Sequence, residues 1–99
     1  MLETDPVAAG VQFVGDRLIV ELTDGRTISA PLDWFPRLLH ASGAERSNWR
    51  LLGGGYAIEW TDLDEHIGVE GLLAGRRSGE SKGSFTRWLA EREARASSS

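Results

Sequence analysis

From Val11 to Ala30 apolar and polar residues alternate in short runs, broken by Gly15-Asp16 and Asp24-Gly25. Leu18, Val20 and Leu22 interleave with Ile19, Glu21 and Thr23, and Ile28 and Ala30 continue the same period of two. In a strand that period sends alternate side chains to opposite faces, so the first set faces a core. The two glycine dipeptides supply the positive φ that tight hairpin turns require. The spacing predicts a three-stranded antiparallel meander at about residues 11–14, 17–23 and 26–30.

The period then changes. Pro31 cannot donate to a ladder and ends the third strand, and Asp33 stands where a helix N-cap is needed. Pro36 is tolerated in a first turn, and Trp34, Phe35, Leu38 and Leu39 fall on one stripe at helical spacing. Ser42-Gly43-Ala44-Glu45 fits a capping box and predicts a second short helix at about 43–49 that carries Trp49. Arg50-Leu51-Leu52 and Tyr56-Ala57-Ile58-Glu59-Trp60 flank three glycines, the pattern of a second hairpin with Tyr56, Ile58 and Trp60 on a common face. Asp62 to His66 reads as an acidic loop, and Ile67 to Leu73 as a short strand-to-helix segment that closes the core with Val69, Leu72 and Leu73.

Arg76 to Gly83 contains no apolar residue, so it has nothing to bury and is expected to be a mobile linker. A last amphipathic helix at 84–95 follows, with Ser84 as N-cap, Phe85, Trp88 and Leu89 at i, i+3, i+4, and a Glu91 to Arg95 pair. An isolated helix of about 12 residues is marginal in water, so this one either docks by its stripe or folds on a partner. Residues 1–10 form an N-terminal segment, 11–75 a single domain, and 96–99 are expected to be disordered. The class is α+β: a meander, two short helices, a hairpin, a closing helix and a separate C-terminal helix.

Composition narrows the chemistry. With no cysteine among 99 residues there is no disulfide frame, thiolate zinc site or cysteine nucleophile. No apolar run approaches the roughly 18 residues of a membrane span and the start has no basic region, so a soluble cytoplasmic protein is expected. Charge is segregated. Residues 1–75 hold five arginines against twelve acids, a net of −7, whereas residues 76–99 hold six cations against three acids, a net of +3. Nucleic-acid contact would therefore run through Arg76, Arg77, Lys82, Arg87, Arg92 and Arg95.

Asp62, Asp64, Glu65 and Glu70, with His66 nearby, form the one cluster of candidate metal ligands. Neither register fits a calcium loop, and the cluster reads as turn caps in which Asp62 and Asp64 bond their own backbone, so no metal is expected. Gly53-Gly54-Gly55 precedes a strand rather than a helix, which makes it a hairpin turn and not a phosphate loop. His40 and His66 are isolated and no serine sits on a nucleophile elbow, so no catalytic residue and no cofactor are assigned.

Three ordered segments carry a resemblance: Pro31-Leu-Asp-Trp-Phe-Pro-Arg-Leu-Leu, Asn48-Trp-Arg-Leu-Leu-Gly-Gly-Gly-Tyr-Ala-Ile-Glu-Trp, and Asp62-Leu-Asp-Glu-His-Ile-Gly-Val-Glu-Gly-Leu-Leu. Over about residues 11–75 the chain resembles the bacterial family catalogued as domain of unknown function 2442. It departs from the pattern at Glu59, Thr61 and His66, where similar proteins carry a histidine, a proline and an acid. The resemblance implies a small α+β fold and an antitoxin-like role beside a small protein encoded next to it. The function expected is thus a non-enzymatic interaction module that binds a small protein or a second copy of itself through Phe85, Trp88, Leu89 and Trp34. Weak nucleic-acid binding through the basic tail is the alternative.

Overall fold

The computed structural model describes residues 6–97. Three strands, β1 (Ala8–Val14), β2 (Arg17–Leu22) and β3 (Thr27–Pro31), form an antiparallel meander with β2 in the centre. The register pairs Phe13 with Leu18 and Leu18 with Ala30, so the alternating set Leu18, Val20 and Leu22 is buried as its period requires. Gly15 and Gly25 take φ of 58° and 92° at the two turns. β1 starts at Ala8, earlier than the sequence pattern suggests, and is irregular between Ala8 and Gly10. Its start is held from outside the meander, by Ala8 N–H donating to the Gly55 carbonyl at 2.7 Å.

A 3-10 turn over Leu32–Trp34 leads into α1 (Pro36–Leu39), followed by α2 (Gly43–Ser47). Asp33 is not an N-cap: the chain tightens into the 3-10 turn to bury Leu32 and Phe35, which leaves Asp33 on the outer side, and no side chain caps α1. The capping box of α2 is present in both directions, with Glu45 N–H donating to Ser42 Oγ and Ser42 N–H donating to Glu45 Oε1. α2 ends at Ser47, and Trp49 opens β4 (Trp49–Leu52) rather than closing the helix, because it pairs across the strand with Trp60.

The glycine turn at 53–55 joins β4 to β5 (Ala57–Trp60). This hairpin gains a third strand, β6 (Glu65–Gly68), where an acidic loop was expected. A 3-10 turn over Thr61–Leu63 and Asp64 in the left-handed region, φ 51°, reverse the chain within four residues and feed Glu65 and His66 into the ladder. α3 (Val69–Leu73) and α4 (Lys82–Ser97) complete the chain. The buried faces of the two sheets share one core, in which Leu18, Val20, Leu32, Leu38, Ile58, Trp60 and Leu63 are fully enclosed. Trp60 anchors it: its indole N–H donates to the Arg46 carbonyl at 3.0 Å, and Phe13 meets it edge-on at 6.2 Å.

Of the two placements the sequence left open for the last helix, the structure has the docked one. Trp88 is 5% exposed and belongs to the core, with Phe85 and Leu89 packed beside it. α4 begins two residues early, because Ser81 rather than Ser84 supplies the cap, accepting from Ser84 N–H at 3.0 Å. The connecting segment is irregular but tethered, in place of the mobile linker expected: Ser78 N–H donates to the Trp34 carbonyl and Arg76 N–H to the Gly71 carbonyl. α4 runs to Ser97, so Ala96 and Ser97 are helical, while residues 1–5, 98 and 99 lie outside the described part.

Candidate functional site

The junction of tail and body is built on Arg37. Its Nε and Nη2 donate to the Glu80 carboxylate at 2.6–3.0 Å, while Nη1 donates to the carbonyls of Leu63 and Asp64, each at 3.0 Å. Glu80 also accepts from Ser84 Oγ at 2.9 Å. Both charged side chains are largely covered, and the Arg37 guanidinium holds the Glu80 carboxyl below its ordinary range. The same guanidinium lies 5.2 Å from the Trp88 ring, whose neighbourhood also includes Arg92 at 4.6 Å and Phe85 stacked at 5.6 Å. Arg92 forks onto Glu45 at 2.8 and 2.9 Å, which with the Ser42 amide depresses the Glu45 carboxyl to about 2.

These contacts consume the residues expected to meet a partner. Phe85, Trp88 and Leu89 pack on the body, with His40 5.2 Å from Phe85, and Trp34 is half-buried beneath the Arg77 guanidinium at 5.3 Å. The six tail cations do not form one patch either. Arg92 is paired, Arg77 lies over Trp34, and Arg95 stands with Asp62 on the wall of a groove; Arg76, Lys82 and Arg87 are exposed. Among the described residues no group of three or more His, Asp or Glu could hold a metal ion. Asp62 is not an Asx cap but accepts from Asn48 Nδ2 at 2.9 Å.

Two surface hollows adjoin α3 and share Gly68 in their walls. The first is a cleft of about 390 Å³ between β6 and the segment 76–80. On its wall Glu65 Oε2 is buried without a hydrogen-bond partner among the described residues, and burial pushes the Glu65 carboxyl up, with the Arg37 charge opposing and the Glu80 charge adding. Arg37 makes no hydrogen bond to it; four of its five N–H donors go to Glu80 and to the carbonyls of Leu63 and Asp64. The second is an apolar hollow of about 370 Å³ among Pro6, Tyr56, Val69, Glu70 and Leu73. Tyr56 and Leu73 are 60% and 46% exposed, although Tyr56 was expected on one face with Ile58 and Trp60, and Leu73 in the core. Tyr56 lies in the turn just before β5 and so escapes the strand alternation, and Leu73 lies on the outer side of the short α3. A large apolar residue at the end of a predicted element was the available signal for both.

These features define a small two-sheet α+β protein with a polar cleft and an apolar hollow on its surface. The chain belongs to the family described as protein of unknown function (DUF2442), whose model matches residues 8–78. It is similar to the crystal structure of a protein of unknown function from Rhodospirillum rubrum, at 30% identity over 81% of this chain and 96% of that one, with a TM-score of 0.66. The fold is also that of an uncharacterised protein from Chromobacterium violaceum solved by NMR, at 22% identity over 87% of this chain and 75% of that one, TM-score 0.63. No curated protein matches. α4 falls outside the family match, and among the described residues no helix is long and apolar enough to cross a membrane.

Proposed function

We propose that this chain is a non-enzymatic, antitoxin-like interaction module of the bacterial cytoplasm that binds a small protein partner or a second copy of itself. The supporting observation is the hollow flanked by Tyr56 and Leu73, two large apolar side chains left in solvent while the tail stripe is used internally. A rigid ring beside a concave apolar surface is the usual make-up of an interface hot spot. The net of −7 over residues 1–75 favours a basic partner and speeds its encounter. Co-expression with the product of the neighbouring gene, followed by pull-down, tests the reading. Tyr56→Ser with Leu73→Ser should abolish capture while leaving the circular dichroism spectrum unchanged; capture that survives the double substitution, or never occurs and is not replaced by a Tyr56-dependent dimer, refutes it. Exposed Arg76, Lys82 and Arg87 support the second reading, weak nucleic-acid binding, which requires a mobility shift at about 50 mM salt that fades steeply as salt rises.

A further inference from the structure

The cleft beside β6 has the features of a strand-binding site. In the β5·β6 ladder Ile58 opposes Ile67 and Trp60 opposes Glu65, and Val69 N–H donates to the Tyr56 carbonyl at 2.9 Å. That alternation directs the backbone of Glu65, Ile67 and Val69 inward, toward β5, and that of His66 and Gly68 outward. β6 is the edge of its sheet, and neither the His66 carbonyl nor the Gly68 N–H has a partner among the described residues. Across the cleft runs the irregular segment 76–80, too short of regular structure to complete the sheet. A partner residue placed opposite Ile67 would donate its N–H to His66 and accept from Gly68, the spacing of a parallel ladder.

Charge selects what such a strand carries. Arg37, Arg76 and Arg77 line the cleft together with Asp64, Glu65 and Glu80; Arg37 is paired with Glu80 and Arg77 lies over the Trp34 ring, whereas Glu65 Oε2 on the wall has no hydrogen-bond partner among the described residues. We propose that the outer edge of β6 binds an extended peptide segment of a protein partner, with a lysine or arginine of that segment paired to Glu65. The inference rests on the reading of the chain as an interaction module and adds where, and in what conformation, a partner is held.

The test is selection of a displayed library of random heptapeptides on the immobilised full chain, with the parent, Glu65→Gln and Gly68→Pro run in parallel. Gly68 has φ −81° and ψ 140° and open space at its Cβ, so proline fits there and removes only the outward N–H. The parent should enrich β-forming peptides with lysine or arginine at one position. An enriched peptide should shift the amide resonances of residues 65–68 and 76–80, weaken about tenfold on Glu65→Gln and be lost on Gly68→Pro. No enrichment over blank, enrichment indifferent to both substitutions, or shifts confined to the Tyr56–Leu73 hollow each overturn the proposal. Capture of the neighbouring gene's product that persists in Gly68→Pro but fails in the Tyr56 and Leu73 variant separates failure of this edge from failure of the module reading.

Discussion

Trp88→Ala measures whether α4 is part of the core or an attachment to it. A buried tryptophan removes about 150–250 Å² from water, which at about 25 cal/mol per Å² is an upper figure of roughly 4–6 kcal/mol. Trp88 is 5% exposed, is stacked on Phe85 at 5.6 Å and has guanidinium groups at 5.2 and 4.6 Å, each adding about 0.5–1 kcal/mol where partly exposed. The loss is capped, however, by the free energy of docking, because a helix that loses its anchor can leave the surface rather than hold a cavity open. The expected cost is about 3 kcal/mol, a large share of the roughly 5–15 kcal/mol typical of a domain. Trp88→Phe, which keeps a ring against Phe85, should lose about half as much. Urea unfolding followed by far-ultraviolet circular dichroism supplies both the midpoint and the slope. If α4 undocks in the alanine variant, less surface remains to be exposed and the slope falls as well. A cost below about 0.5 kcal/mol with an unchanged slope would show that α4 is not held by this face.

Gly55→Ala should cost about 3 kcal/mol or more in the same assay, since φ is 111° and an added Cβ would lie 2.5 Å from the Ala8 carbonyl oxygen, prising β1 from the hairpin turn. Glu65→Gln should stabilise the protein at pH 7 by on the order of 1 kcal/mol, because the charge of a half-buried carboxylate, one of whose oxygens has no hydrogen-bond partner, is replaced by a neutral amide. The Glu65 carboxyl is raised on folding, so its ionisation opposes folding above the ordinary carboxylate range, and the gain should vanish below about pH 4 when both states are protonated. Glu45→Gln acts with the opposite sign: the fork to Arg92 contributes about 1 kcal/mol after solvent screening, present above the ordinary pKa of 4.5 and lost as pH falls toward about 2. Thermal melts between pH 2 and pH 7 should therefore show a shallower acid limb in Glu45→Gln than in the parent.

Local signals with one dominant physical cause were legible in the sequence. The period of two through Leu18, Val20 and Leu22, the glycines at positive φ, and the reciprocal capping box at Ser42 and Glu45 are each set by neighbours a few residues away. Elements that depend on a competing local choice were misplaced. Asp33 can cap a helix, but burying Leu32 and Phe35 together selects a 3-10 turn instead. Glu65 and His66 are poor strand formers, yet one left-handed residue, Asp64, delivers them to a ladder whose other side is already in place. The two surface hollows were less visible still. Tyr56 was placed on a face with Ile58 and Trp60 by an alternation that fails at element ends, Leu73 was placed in the core, and the open edge of β6 could not be seen while Glu65 and His66 read as part of a loop.

The tail shows why composition alone misleads. A run without apolar residues reads as a linker because it has nothing to bury, but Glu80 within it meets Arg37 from 43 residues away, and Arg92 meets Glu45 across 47. Pairings at that separation leave no periodic trace, and their free energy depends on burial that forms only after the two sheets have packed. The segregation of charge into −7 and +3 was the one hint available, and it accounts for one of these two pairs: Arg92 of the tail settles on Glu45 of the body, whereas Glu80 of the tail meets Arg37 of the body against the net charges. Arg92 is thus held by Glu45 and Arg77 by the face of Trp34, while Glu70 beside the apolar hollow has no ion pair among the described residues. The apolar hollow beside α3 thus carries an acid on its rim, which would favour a basic segment in any partner that docks there.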